Sequence, residues 1–198
     1  MASSKPAEKA FPVLSVKEVD REIRRYKRHR SRIRFLRALL LMVVIAVALG
    51  LYIASDYFML VRVEGSSMRK TLENGDIVLC RKNAEFEKGD IIVFDKEDMI
   101  VIKRVIGTNG DRITVTDDGD VKVNGTVIDE PYVYNKALGS SDIRYPAVVK
   151  DGELFCLGDH RNTSIDSRSS NFGNVDAESV LGTVEAVLWP AYRIGICR

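Results

Sequence analysis

The stretch VEGSSMRKTLENGD, Val63 to Asp76, sets two adjacent serines ahead of a methionine and a lysine. A serine hydroxyl is a weak nucleophile and attacks a carbonyl only when a base takes its proton. Without a base, Ser66 and Ser67 read as a turn or a helix N-cap. Three residues are candidate bases. Ser67-Met68-Arg69-Lys70 fits S-x-x-K, which on a helix sets serine and lysine one turn apart. His160, in GDHR, would complete a Ser–His–Asp triad with Asp159 or Asp166. Neighbours on a strand point to opposite faces, which counts against Asp159 as its partner. Lys103 stands in MIVIKRVIG, an apolar run in which Met99, Val101 and Val105 share its face at period two. Burial there disfavours the ammonium. An ordinary lysine, pKa about 10.4, is neutral about once in 2,500 at pH 7. A fall to about 8 would leave about a tenth neutral, for about 3 kcal/mol. Arg104 points the other way and reads as a structural ion-pair partner. GDHRNTSIDSR, Gly158 to Arg168, adds Ser164, Asp166, Ser167 and Arg168, which can orient a lysine or pair with one another.

The elements that must hold these groups are strands. IVLCRK (77–82), DIIVFDK (90–96), MIVIKRVIG (99–107), DRITVT (111–116) and VKV (121–123) are short runs rich in β-branched residues. Asn74-Gly75-Asp76, Lys88-Gly89-Asp90, Asn109-Gly110-Asp111 and Asp118-Gly119 separate them. Asn124-Gly125 is the strongest hairpin signal, joining VKV to TVI. ELFCLGD (153–159) and GTVEAVLWP (182–190) supply later strands. One short helix is expected near 176–180. Residues 56–198 are therefore expected to form one β-rich domain.

Ahead of that domain, ALLLMVVIAVALGLYIAS, Ala38 to Ser55, carries no charge. Eighteen helical residues span about 27 Å, close to the hydrocarbon thickness of a bilayer. YFMLV at 57–61 carries the apolar character past Asp56. A buried core helix is seldom apolar on every face, so a transmembrane helix is expected. A cleaved signal peptide would have a shorter basic region and a shorter apolar one.

Residues 1–37 hold twelve Lys and Arg against four acids, a charge of +8 in a chain whose net is +2. The positive-inside rule places this arm in the cytoplasm and the β domain outside. The arm is expected to contact anionic lipid rather than nucleic acid. Its first twenty residues are expected to be disordered, with VKEVDREIRRYKRHRSRIRFL a charged helix running into the span. Cys80, Cys156 and Cys197 show no zinc spacing or disulfide framework. They read as thiols, a Cys80–Cys156 bridge remaining the alternative.

Taken together, these blocks resemble the type I signal peptidases, membrane-bound serine proteases that remove signal peptides from exported proteins. VEGSSMRKTLENGDIVL is similar to the family's nucleophile block, Ser-Met followed by x-Pro-Thr-Leu. KGDIIVF and IKRVIGTNGDRI resemble its lysine block. GDHRNTSIDSR resembles G-D-N-R-x-x-S-x-D-S-R, and GTVEAVLWP also fits, so the likeness covers most of residues 38–190. The resemblance implies a mainly β fold: a signal-peptidase-like antiparallel β domain preceded by one N-terminal transmembrane helix. It implies Ser67 as nucleophile, Lys103 as general base and Ser164 as the serine that orients the lysine. Asp166 with Arg168 match a supporting ion pair, and Asp159 a further structural acid. The amide of Ser67 would supply part of an oxyanion hole; Gly65 stands where some members carry a second serine for it. Secretory preproteins with small residues before the cut are the implied substrates, bound extended, with no metal or cofactor required. Met68 and Leu72 are candidate pocket residues by nearness to Ser67 alone.

Two residues depart from the pattern: Lys70 stands for the family's proline, and His160 for an asparagine. Both also fit a specialised or silent relative acting in surface-protein or pilus assembly. Ser67 lies eleven residues past Asp56, at most about 40 Å of extended chain. That tether keeps the serine near the outer membrane surface.

Overall fold

The computed structural model describes residues 16–83, 85–133 and 135–197. The expected disorder of the first residues falls mostly on 1–15, outside the described set. The chain divides into two compact units, Met1–Tyr52 and Ile53–Arg198.

The first unit is helical. Helix α1 runs without a break over Val16–Tyr57, so the charged segment and the apolar span are one helix. Between His29 and Tyr57 it is long and apolar enough to cross a membrane. Its apolar side chains face outward all round, Leu40, Met42 and Leu51 among them. A helix apolar on every face suits a hydrocarbon solvent. The helix continues through Asp56 to Tyr57, two residues past the expected end.

The second unit is antiparallel β throughout its described pairings. Its strands are β1 Phe58–Arg62, β2 Ile77–Lys82, β3 Ile91–Lys96, β4 Met99–Gly107, β5 Arg112–Val115 and β6 Val121–Val123, followed by β7 Thr126–Val127. Then come β8 Ala147–Val148, β9 Glu153–Leu157, β10 Val175–Asp176, β11 Val180–Trp189 and β12 Gly195–Ile196. The larger sheet is ordered β1-β2-β11-β3-β4-β9-β10, with β12 also on β11; the smaller is β7-β6-β5-β8. FMLVR, which the sequence shows only as apolar residues after the span, is an edge strand paired with β2. The expected helix near 176–180 is a single 3₁₀ turn, Ala177–Ser179, capped by Asp176.

Local chemistry sets the turns. Asn124 and Gly125 both take positive φ, 53° and 86°, as a two-residue hairpin with right-handed strand twist requires. Glu97 and Asp98 do the same between β3 and β4. Strand β3 is buried on both faces. Ile91 and Val93 join a core with Met68, Leu72, Val78 and Cys80. Ile92 and Phe94 join another with Val105, Leu154 and Cys156. The smaller sheet closes a third core around Ile113, Val121 and Phe155. All three cysteines are free thiols, which settles the alternative of a Cys80–Cys156 bridge.

Candidate active site

The loop carrying Ser67 is closed at its neck and anchored at its base. Val63 N–H donates to Asp76 carbonyl, and Gly75 N–H to Val63 carbonyl, each at 2.8 Å. Met68 and Leu72 drop into the core below, 2% and 0% exposed. Burying two such side chains stabilises the loop by several kcal/mol and leaves the residues between them at the surface. Leu72 is therefore core, not pocket lining, whereas Met68 also borders a groove. That groove has a volume of about 760 Å³ and runs between β1 with its following residues and the start of β4. Ser67 lines it; Ser66 does not.

Lys103, on β4 opposite Ile92, is 4% exposed. Its Nζ donates to Ser164 Oγ at 3.1 Å. Burial lowers its pKa from 10.5 to about 8; Asp166 opposes the fall and Arg168 adds to it. Desolvation is the leading cause because a cation in an apolar wall loses water that no nearby carboxylate replaces in full. On the same face Val105 is fully buried and Val101 packs against the core that holds it, but Met99 is exposed.

Ser164, the partner of Lys103, and the Ser67 main chain meet at Gly158. A Cβ added to Gly158 would lie 2.6 Å from both Ser67 carbonyl oxygen and Ser164 Cβ. Only glycine lets these two chain segments approach so closely. The Ser67 carbonyl is held from the same loop by His160 N–H at 2.9 Å.

Three fully buried arginines brace this arrangement. Arg104 makes two bonds to Asp159, Nε at 2.9 Å and Nη2 at 2.7 Å. Arg168 holds Asp166 through Nε at 2.8 Å and Nη2 at 2.9 Å, and Gly158 N–H also donates to Asp166. Arg161 forks onto Glu130 and donates through Nε to the Gly158 carbonyl. Paired this way, each buried charge is compensated; removing one partner would strand the other. Asp159 has a further donor, Thr71 Oγ1 at 2.5 Å, so it fastens the Ser67 loop as well. Glu130, Arg161, Thr71 and Tyr132, whose ring lies 3.8 Å from the Arg104 guanidinium carbon, are parts that sequence reasoning passed over. Glu130 and Arg161 are 31 residues apart, and no local pattern links them.

The other candidate bases are engaged elsewhere. Ser67 to Thr71 form turns rather than a helix, so the S-x-x-K spacing does not place Lys70 one helical turn above Ser67. Lys70 Nζ donates instead to the Pro131 carbonyl. His160 sets its Nδ1 3.3 Å from the Ser66 carbonyl, and the carboxylates of Asp159 and Asp166 are taken by arginines. Gly65, with φ of 86°, donates its N–H to Asn74 Oδ1.

The antiparallel β body thus carries a buried lysine bonded to Ser164 and, separately, a groove lined by Ser67. A family profile described as "Signal peptidase, peptidase S26" matches residues 34–189. The chain belongs to this signal peptidase family. It is 33% identical over 165 residues to signal peptidase I of Bacillus licheniformis, covering 77% of this chain and 88% of that one. Signal peptidase I S of Bacillus subtilis (strain 168) is 34% identical over 160 residues, 75% and 86% of the two chains. Among solved structures, a signal peptidase I from Enterococcus faecalis V583 shares 29% identity. It covers 50% of this chain and 97% of its own, with a TM-score of 0.42.

Proposed function

We propose that this protein is an endopeptidase that removes N-terminal signal peptides from exported preproteins, with Ser67 as nucleophile and Lys103 as general base. The observation that carries the reading is the buried Lys103 bonded to Ser164, which closes on Gly158 together with the Ser67 carbonyl. Its lowered pKa leaves about a tenth of the amine neutral at pH 7. Neutral Nζ takes the Ser67 hydroxyl proton as Oγ bonds to the scissile carbonyl carbon. The Lys103 ammonium then protonates the departing amine as the C–N bond breaks, leaving an acyl-enzyme. Water attacks the ester with its proton passing to Lys103; Ser67 recovers a proton as the signal peptide leaves. The Ser67 amide is the proposed oxyanion donor. Ser164 orients Lys103, while Asp159, Asp166 and Arg168 hold the surrounding backbone.

The substrate lies extended in the 760 Å³ groove, beside the free edge of β1. Residues 1–37 are the proposed cytoplasmic arm, on anionic lipid rather than nucleic acid, 38–55 the single span and 56–198 the extracytoplasmic catalytic domain. The test is cleavage of a preprotein with an Ala-x-Ala site by detergent-solubilised protein. Ser67→Ala and Lys103→Ala should abolish it and His160→Ala should spare it. Activity in Lys103→Ala, with loss in His160→Ala, would sink the dyad in favour of a triad.

A further inference from the structure

Lys70 adopts φ of 89°, in the left-handed region that side chains other than glycine, asparagine and aspartate rarely enter. Proline is held near −65° and has no access to that conformation. The turn after Ser67 therefore follows a path that proline at this position would not permit. The path is braced from both ends. Thr71 and Leu72 N–H both donate to the Met68 carbonyl, and Arg69 N–H to the Ser66 carbonyl. Lys70 Nζ donates to the Pro131 carbonyl at 3.0 Å. Pro131 sits between two fixed residues: Glu130, paired with buried Arg161, and Tyr132, stacked on Arg104 and bonded to Glu130. The lysine thus anchors an otherwise exposed turn to the rigid arginine network behind the site.

We propose that Lys70 is a positioning residue for the reaction: its left-handed backbone and its bond to the Pro131 carbonyl set the height of Ser67 in the groove. The inference rests on the reading of Ser67 as nucleophile.

The experiment compares Lys70→Met, Lys70→Arg, Lys70→Gly and Lys70→Pro in the full chain. It measures steady-state preprotein cleavage and amide hydrogen exchange of the 64–75 segment. Losing a charge-assisted bond should lower kcat about tenfold in Lys70→Met and Lys70→Gly. KM should hold, because Lys70 does not line the groove. Lys70→Arg should restore most of the loss. Lys70→Pro should lose about a hundredfold, as displacement of a reacting group by about 1 Å would cause. Exchange should rise over 64–75 in the Met, Gly and Pro variants and stay unchanged in β9. Wild-type kcat and unaltered exchange in both Lys70→Met and Lys70→Pro would overturn the proposal. Raised exchange with no cleavage by wild type would uphold the anchoring and defeat the protease reading.

Discussion

Replacing Lys103 with methionine should abolish cleavage and stabilise the fold. The side chain is 4% exposed, and burial holds its pKa at about 8 instead of 10.5. A gap of that size, at about 1.4 kcal/mol per pH unit, is about 3 kcal/mol of stability given up at pH 7. The sign follows from proton binding. Between pH 8 and 10.5 the unfolded chain holds the lysine proton and the folded chain has released it, so stability rises with pH across that window. Below pH 8 both states hold the proton and the full penalty applies. Methionine has similar length and no charge, so it removes the penalty and forfeits one bond to Ser164, worth about 1 kcal/mol. The net gain at pH 7 is about 2 kcal/mol, several degrees in Tm for a body of this size. The assay is thermal unfolding of detergent-solubilised wild type and Lys103→Met, followed by β-sheet circular dichroism at pH 7 and pH 10. The advantage of methionine should shrink toward zero at the higher pH. An inactive variant that is less stable at pH 7, or whose margin grows with pH, would refute the account of a lysine strained by burial.

The pH profile of kcat/KM should climb with unit slope and level off near pH 8, where Lys103 loses its proton; a profile already flat between pH 6 and pH 8 would refute Lys103 as the base. Gly158→Ala should cost more than a hundredfold in activity, because its Cβ would drive the Ser67 carbonyl away from Ser164; preprotein cleavage reads this out. Asp159→Ala should destabilise the fold by about 3–5 kcal/mol by stranding the Arg104 guanidinium, a loss that urea unfolding would register.

Much of the protein was legible in its sequence because the relevant physics is local. Period-two runs placed β2, β3, β4, β5, β6, β9 and β11 within a few residues of their ends, and Asn124-Gly125 fixed a hairpin that needs two positive φ values. Eighteen uncharged residues named the helix fit to cross a membrane. The apolar neighbours of Lys103 along its own strand foretold a depressed pKa. Edge strand β1 was obscured because FMLVR follows the helix without a break in hydrophobicity, and only pairing with β2 marks it as a strand. What tertiary structure alone decided is which distant groups meet. Lys103 reaches Ser164 across 61 residues, Thr71 reaches Asp159 across 88, and Glu130 pairs with Arg161 across 31. Such contacts depend on strand order and on glycines such as Gly158 that let backbones close up. No periodicity encodes either, since a sequence lists neighbours along the chain while charge, burial and proton transfer act between neighbours in space.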